Sequence, residues 1–238
     1  WAGWKPGEMR LHLWGGGNQS INQNIIGYYK TLLSGNLVLP VYTYDESTFS
    51  MWWEKIKNYR PTIIYAYPSV AAKFAQWLEM KGYTPEGIKG VFCSAEMFLD
   101  NDRTVIERVF NCKAYNQYGS REAPGVACEC PYGNMHIFTN LNIVEFIDSH
   151  ENDDLNDIII TPLFNYAQPL IRYAIGDKGK PLDGACPCGR GFPLMSIKMG
   201  RARDHLISLK GKAVYPGFFT RLMDGQEWVS RFQFCQRK

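Results

Sequence analysis

No apolar run among the 238 residues approaches the length that carries a helix across a bilayer, so no helical membrane span is expected. Charge of one sign is equally scarce. Lys and Arg number 26 against 23 Asp and Glu, and the resulting net charge of +3 is too small to imply a nucleic-acid partner. The basic residues are scattered, apart from a mild cluster over residues 201–212 that a solvated face explains as well as phosphate contacts do. Cysteine is sparse for this length: seven residues, an odd number, at 93, 112, 128, 130, 186, 188 and 235. That usage argues against a secreted disulfide scaffold and for reduced thiols in a cytoplasmic protein. Repeats and low-complexity tracts are lacking. So is a Gly-rich turn after the first strand with an acid downstream, which weakens a dinucleotide-binding oxidoreductase as a reading. Position 1 is Trp, residues 1–7 carry no signal-peptide pattern, and residues 228–234 alternate like a strand that has only begun. The chain therefore reads as a piece of a longer protein.

What is present is an ordinary globular composition, 45% hydrophobic, in a chain long enough to bury a substantial core. Residues 37–42, 62–67, 90–94 and 113–118 read as short apolar strands. Between them, residues 47–58, 68–81 and 102–110 read as amphipathic helices. The first has Phe49, Trp52, Trp53 and Ile56 at helical spacing, and Gly82 stops the second. Residues 11–34 add a strand, a loop and a helix to the same layer. The fold class is therefore α/β, a parallel sheet flanked by helices whose ligands bind beyond the carboxyl ends of the strands. After Glu122 come short strands at 135–138, 143–148, 157–161 and 170–173, with an exposed turn at 150–154. They predict a small, mostly antiparallel β subdomain or distorted barrel packed on the parallel layer. Residues 196–223 read as a closing hairpin and a short helix.

Three short stretches set Gly beside an acid or an Arg on a turn after an apolar or aromatic segment. They are Tyr118-Gly119-Ser120-Arg121-Glu122, Tyr173-Ala174-Ile175-Gly176-Asp177 and Gly200-Arg201-Ala202-Arg203-Asp204. Gly lets backbone approach a ligand closely and the charge supplies a directed contact. Ser94-Ala95-Glu96 and residues 119–122 also fall at the carboxyl ends of the third and fourth of the strands read from residue 37 onward. Blander readings stay open. Ser120 can cap a helix, Asp177 can sit in a Gly-Asp turn, Glu96 can be a solvated acid and Arg172 an ion-pair partner. Trp52, Trp53 and Trp77 read as core, and Cys93, Cys112 and Cys235 as buried small hydrophobes. The remaining cysteines form two Cys-x-Cys pairs. Structural zinc takes four N or S ligands in a tetrahedron, and Cys130, His136, Cys186 and Cys188 would supply them. Cys128 competes with Cys130, which is preferred because it precedes Pro131 and the loop to His136.

Taken in order, these stretches resemble the adenylate-forming (ANL) superfamily. Within it they resemble the phenylacetate–CoA ligase branch and its CapK-like relatives in capsule biosynthesis. The resemblance covers nearly the whole chain and strengthens the Cys/His assignment, because members of the branch carry the same set. It implies that a carboxylate and ATP give an acyl-adenylate, which a thiol, usually that of coenzyme A, then captures. Glu122 and Arg201 would be catalytic, Glu122 through Mg²⁺. Ser94, Ala95, Glu96, Asn116, Tyr118, Gly119, Ser120 and Asp177 would join them in binding the nucleotide, with Tyr118 against adenine and Asp177 on the ribose. Tyr67, Phe92 and Tyr115 would line the acyl pocket, Arg172 is typical of the branch, and Asp204 would be a hinge.

The implied cofactors are ATP or AMP, Mg²⁺, coenzyme A as co-substrate and a structural Zn²⁺. The implied partner is a small carboxylic acid, with no nucleic acid or membrane, and a homodimer is left open. Residues 1–122 would form the nucleotide- and acyl-binding layer, 123–204 the β subdomain, and 205–238 the start of a mobile C-terminal domain. Ser94-Ala95 departs from the family's Gly-Gly. The family's phosphate-cradling loop would precede Trp1 and its catalytic Lys would follow Lys238, so this piece alone is expected to be inactive. The alternatives are a non-catalytic zinc-stabilised nucleotide-binding module, or a CapK-like adenylating protein that does not use coenzyme A.

Overall fold

The structure is a computed structural model that describes residues 1–15, 25–41, 44–148, 155–201, 206–207, 213–214, 223, 229 and 232–236. It divides into two compact units, residues 1–119 with 127–134, and residues 120–126 with 135–238. Residues 127–134, expected in the β subdomain, therefore group with the first unit.

The first unit runs β1 (Arg10–Leu13), α1 (Ile25–Ser34), β2 (Asn36–Leu39), α2 (Glu46–Tyr59), β3 (Ile63–Ala66), α3 (Pro68–Met80), β4 (Gly90–Cys93), α4 (Asp100–Phe110), β5 (Lys113–Tyr118) and β6 (Ala127–Glu129). Strands β2-β1-β3-β4-β5 lie side by side and parallel, and β6 pairs antiparallel to β5. This is a doubly wound order whose direction reverses between β1 and β3, the point where such sheets bind ligands. Alternation along the strands separates two faces. Leu11, Leu13, Ile64, Ala66, Val91, Cys93 and Ala114 meet Phe49, Trp52 and Ile56 of α2, Phe74, Trp77 and Leu78 of α3, and Ile106 and Phe110 of α4. The opposite face carries His12, Tyr65, Phe92 and Tyr115, which are register partners on four adjacent strands. Their rings stack in succession at 5.1, 5.2 and 5.0 Å between centroids.

Local signals place the helices. Asp45 caps α2, its carboxylate accepting from the Thr48 backbone N–H at 2.8 Å, and Arg60 ends it in the left-handed region. Pro68 starts α3, where a missing N–H costs nothing. Trp52 and Trp77 are core as expected, while the half-buried Trp53 stacks on Tyr83. All seven cysteines are free of disulfides. Burial pushes Cys93 well above the ordinary thiol range and Cys112 up to about 12, whereas Cys235 is exposed and corrects the expectation of a buried position.

In the second unit β7 (Met135–Ile137), β8 (Asn142–Asp148), β9 (Asn156–Pro162), β10 (Tyr173–Leu182) and β11 (Leu194–Arg201) pair antiparallel in the order β7-β11-β10-β9-β8. A separate pair joins β12 (Leu206–Ile207) to β13 (Ala213–Val214). The strand expected at 170–173 instead begins at Tyr173 and runs to Leu182. Arg172, at φ 52°, breaks extended backbone ahead of it. The turn at 150–154 and most of the expected hairpin and helix at 196–223 lie outside the described residues. Among the described residues no helix is long and apolar enough to cross a membrane.

Candidate nucleotide and metal sites

At the switch point between β1 and β3, Trp14 and Tyr67 stack at 4.4 Å and 10°. Tyr67 was expected in a pocket; Trp14 was not, since its neighbours in sequence are glycines that read as a loop. The next strand end carries Ser94, whose backbone N–H donates to the Ala66 carbonyl at 3.1 Å. Ala95 follows at φ 69°, a left-handed conformation costly for any residue with a Cβ. The turn brings the Glu96 carboxylate to the start of α3, where it accepts from the Ser69 N–H at 3.2 Å. Because Tyr67 offers no side-chain cap, Glu96 does so from outside the helix. Phe92 and Tyr115 are buried in the ring stack, and Tyr118, the last residue of β5, is buried as well.

Asn116 lies on β5 with its side-chain Oδ1 buried and without a donor among the described residues. Its backbone N–H donates to Glu129 Oε2 at 2.9 Å. Glu129 also receives both contacts of Arg103 Nη2, at 3.1 and 2.8 Å, and Arg103 Nη1 donates to the Ala114 carbonyl. Nothing in the sequence drew attention to Arg103 or Glu129, because the contact joins α4 to a strand of three residues.

In the second unit Ser120 starts a tight turn: its N–H donates to the Ala123 carbonyl at 2.9 Å and its Oγ accepts from the Ala123 N–H at 3.1 Å. No helix follows, so the helix-cap alternative gives way to a turn that leaves Glu122 exposed. Asp177 sits in a double irregularity. Between Ala174 and Lys178, β10 advances four residues while β9 advances two. Between Asp177 and Lys178, β11 slips three residues for one on β10. Gly176, at φ 84°, makes the bulge affordable. Asp177 thereby faces Arg201 in register on the neighbouring strand. The Arg201 side chain and the whole of Asp204 lie outside the described residues. Arg172 pairs with Glu145 at 3.1 Å, as its blander reading had it.

The Sγ atoms of Cys130, Cys186 and Cys188 and a ring nitrogen of His136 lie within 4.8 Å of one another; Cys128 is not among them. The Cys128 thiol instead faces the Glu129 carbonyl at 3.5 Å. A tetrahedral zinc with bonds of about 2.3 Å to sulfur sets its ligands roughly 3.8 Å apart, so closing on an ion takes shifts of about an ångström or less. His136 is fully buried, with Nδ1 at 3.2 Å from the Phe192 carbonyl oxygen and Nε2 at 3.3 Å from Cys188 Sγ. A carbonyl only accepts, so Nδ1 carries the proton and Nε2 presents its lone pair to the thiols, the orientation that metal-binding histidines take. Both cysteine turns are closed by a glycine at positive φ. Gly133 N–H donates to the Cys130 carbonyl at 2.9 Å and Gly189 N–H to the Cys186 carbonyl at 3.1 Å. The donor set and its spacing fit zinc.

The fold is shared with enzymes that join acids to coenzyme A. The chain superposes on an open conformation of 2-hydroxyisobutyryl-CoA ligase, solved with 2-HIB-AMP and CoA, with a TM-score of 0.66 at 19% identity. That match covers 93% of this chain and 50% of the other. In sequence it is 30% identical over 226 residues to phenylacetate-coenzyme A ligase of Thermus thermophilus, covering 90% of the chain and 49% of that protein. It is 28% identical over 208 residues to protein CapK of Staphylococcus aureus, covering 84% and 45%. No family model matches. The chain belongs to the adenylate-forming superfamily, in the branch that holds phenylacetate–CoA ligase and CapK. It spans about half the length of the curated relatives it matches.

Proposed function

We propose that the chain is the adenine- and acyl-binding part of an ATP-dependent enzyme that adenylates a small carboxylic acid and passes the acyl group to coenzyme A. The observation that carries this reading is the placement of Ser94–Glu96 and Asn116–Gly119 at or near the carboxyl ends of adjacent parallel strands. It is supported by the orphaned acceptor on Asn116, to which the adenine amino group would donate. In the reaction the acid's carboxylate oxygen attacks the alpha-phosphate of ATP, the bond to the bridging oxygen breaks and pyrophosphate leaves. The thiol then attacks the acyl carbonyl and AMP departs.

The chain's residues bind and orient. Tyr118 would stack its ring on adenine, Asp177 would accept two hydrogen bonds from the ribose hydroxyls, and Arg201 would offset charge on the alpha-phosphate. Glu122 would share Mg²⁺, which supplies charge neutralisation on the phosphates. Tyr67, Trp14, Phe92 and Tyr115 would bound an apolar or aromatic acyl group. Cys130, His136, Cys186 and Cys188 would hold Zn²⁺ with no open coordination position, which makes its role structural. Reduced thiols and a buried Cys/His set suit the cytoplasm.

The test is ATP–pyrophosphate exchange by the protein in its full encoded length. Exchange stimulated by an acid, followed by thioester formation with coenzyme A, is the expected result. Exchange without thioester would favour a CapK-like adenylating protein with another acceptor. Silence across a broad panel of acids would leave the non-catalytic nucleotide-binding module as the function.

A further inference from the structure

We propose that Glu129 is a positioning residue of the nucleotide site, holding Asn116 in the geometry that selects an amino purine, with Arg103 as its anchor. The inference rests on the nucleotide reading given above. Glu129 ends β6 with its side chain 14% exposed, and both carboxylate oxygens are engaged by Arg103 Nη2, Oε2 also taking the Asn116 N–H. Strand β5 pairs with β6 through Gln117 with Cys128 and Tyr118 with Ala127. At Asn116, one step further along, a side-chain carboxylate accepts the N–H. The strand there is held by a charged acceptor rather than by a carbonyl of the ladder, and such bonds are the stronger kind. Arg103 is fixed in turn by the Ala114 carbonyl, two residues before Asn116, and by the Phe98 ring 4.3 Å below its guanidinium. A rigid frame of α4, β5 and β6 thus surrounds one amide whose oxygen has no donor among the described residues.

A buried acceptor left open is costly unless a ligand supplies a donor. Adenine presents an amino group where hypoxanthine presents a carbonyl oxygen, so an acceptor held still at this place favours the first and repels the second. An acceptor whose backbone shifts by a fraction of an ångström no longer meets the adenine amino group squarely and loses the preference. Glu129, by taking the Asn116 N–H, fixes the stretch of β5 from which that amide projects.

The experiment is calorimetric titration of the 238-residue chain with AMP and with inosine monophosphate. The wild-type chain is expected to bind AMP at least about tenfold more tightly, as sites built on a hydrogen bond do. E129Q keeps an acceptor but gives up the ion pair. It should retain its zinc content and far-UV spectrum while the AMP preference falls to about threefold or less through weaker AMP binding. E79Q, which breaks the exposed Arg108–Glu79 pair between α3 and α4, is the control and should leave both affinities unchanged. R103K, which keeps the charge but not the paired contact, carries the same test should E129Q fail to fold. An unchanged preference in E129Q, or in R103K, overturns the role of Glu129 and leaves the nucleotide reading standing. A wild-type chain that binds no AMP overturns that reading itself.

Discussion

Ala95 shows how a departure in sequence becomes a measurable strain. The resembling family carries Gly-Gly where this chain has Ser94-Ala95, and only the second of the two needs glycine: Ala95 sits at φ 69°, whereas Ser94 is not among the positive-φ residues. A Cβ in the left-handed region costs about 1–2 kcal/mol, partly offset by the greater freedom of glycine in the unfolded chain. A95G should therefore raise the unfolding free energy by about 1 kcal/mol in urea titrations, and a less stable A95G would show that the turn is not strained. His12 carries a different expectation. Burial beneath Tyr65 lowers its pKa, the Asn36 contact works in the other direction and Arg10 adds to the lowering. The folded imidazole then resists a proton that the unfolded chain accepts from about pH 6.5 downward. His12 thus costs no stability above that pH. It withdraws stability as the pH falls from the unfolded value to the lower folded one, after which the loss levels off. H12F, which keeps a ring in the stack, should flatten the fall in unfolding free energy below about pH 6.5 relative to wild type. Parallel wild-type and H12F curves would rule the histidine out as its source.

Elements differ in how far their own residues decide them. Helix α2 is local: Asp45 accepts from Thr48 N, Ser47 Oγ and Thr48 Oγ1, which holds its carboxyl down at about 2. D45A should lower the melting temperature at neutral pH while D45N, whose amide oxygen can still accept, retains most of it. The ordinary Asp value lies near 3.9, so the carboxylate's contribution should persist through mildly acid conditions and fade only as the pH drops from about 4 toward 2. Equal melting of D45A and wild type at pH 7 would remove the cap from the account. The same locality made this helix readable in the sequence, since Phe49, Trp52 and Ile56 recur on one face and are all buried. Strand β5 was readable for a similar reason. Strand β6 was not, because Ala-Cys-Glu has no periodicity and becomes a strand only through Gln117 and Tyr118 of β5. Strand β10 was misread because Gly176-Asp177-Lys178-Gly179 looks like a turn. Its bulge exists only where β9 and β11 pair on either side of it. Glu129 was invisible on the same grounds: its partners Arg103 and Asn116 are 26 and 13 residues away. Motif residues such as Asp177 could be named from spacing and resemblance, whereas the residues that hold them are known only through contacts.

At the scale of the whole molecule the Cys/His set is the feature whose removal should be felt furthest from where it sits in sequence. It gathers residue 130 with residues 136, 186 and 188 in a chain that otherwise has no disulfide. An ion bound only by the folded chain stabilises it in proportion to the logarithm of metal concentration over the dissociation constant, so about 4 kcal/mol is lost when a thousandfold excess is withdrawn. Three buried ligands would then be left facing one another without the charge that reconciles them. The protein as purified should contain close to one equivalent of zinc, and a strong chelator should lower its melting temperature. Amide hydrogen exchange should show where. The ligand turns at 130–134 and 186–189, and β7 with the facing end of β11, lose a partner and should exchange faster. Helices α2, α3 and α4 bury their apolar faces on their own sheet and should keep their protection. C186S should reproduce the chelated pattern, while C128S, whose thiol faces a carbonyl outside the set, should bind zinc like wild type. Exchange that rises evenly through the helices would make the cluster a global clamp, and exchange that does not change at all would mean that the thiols hold no metal.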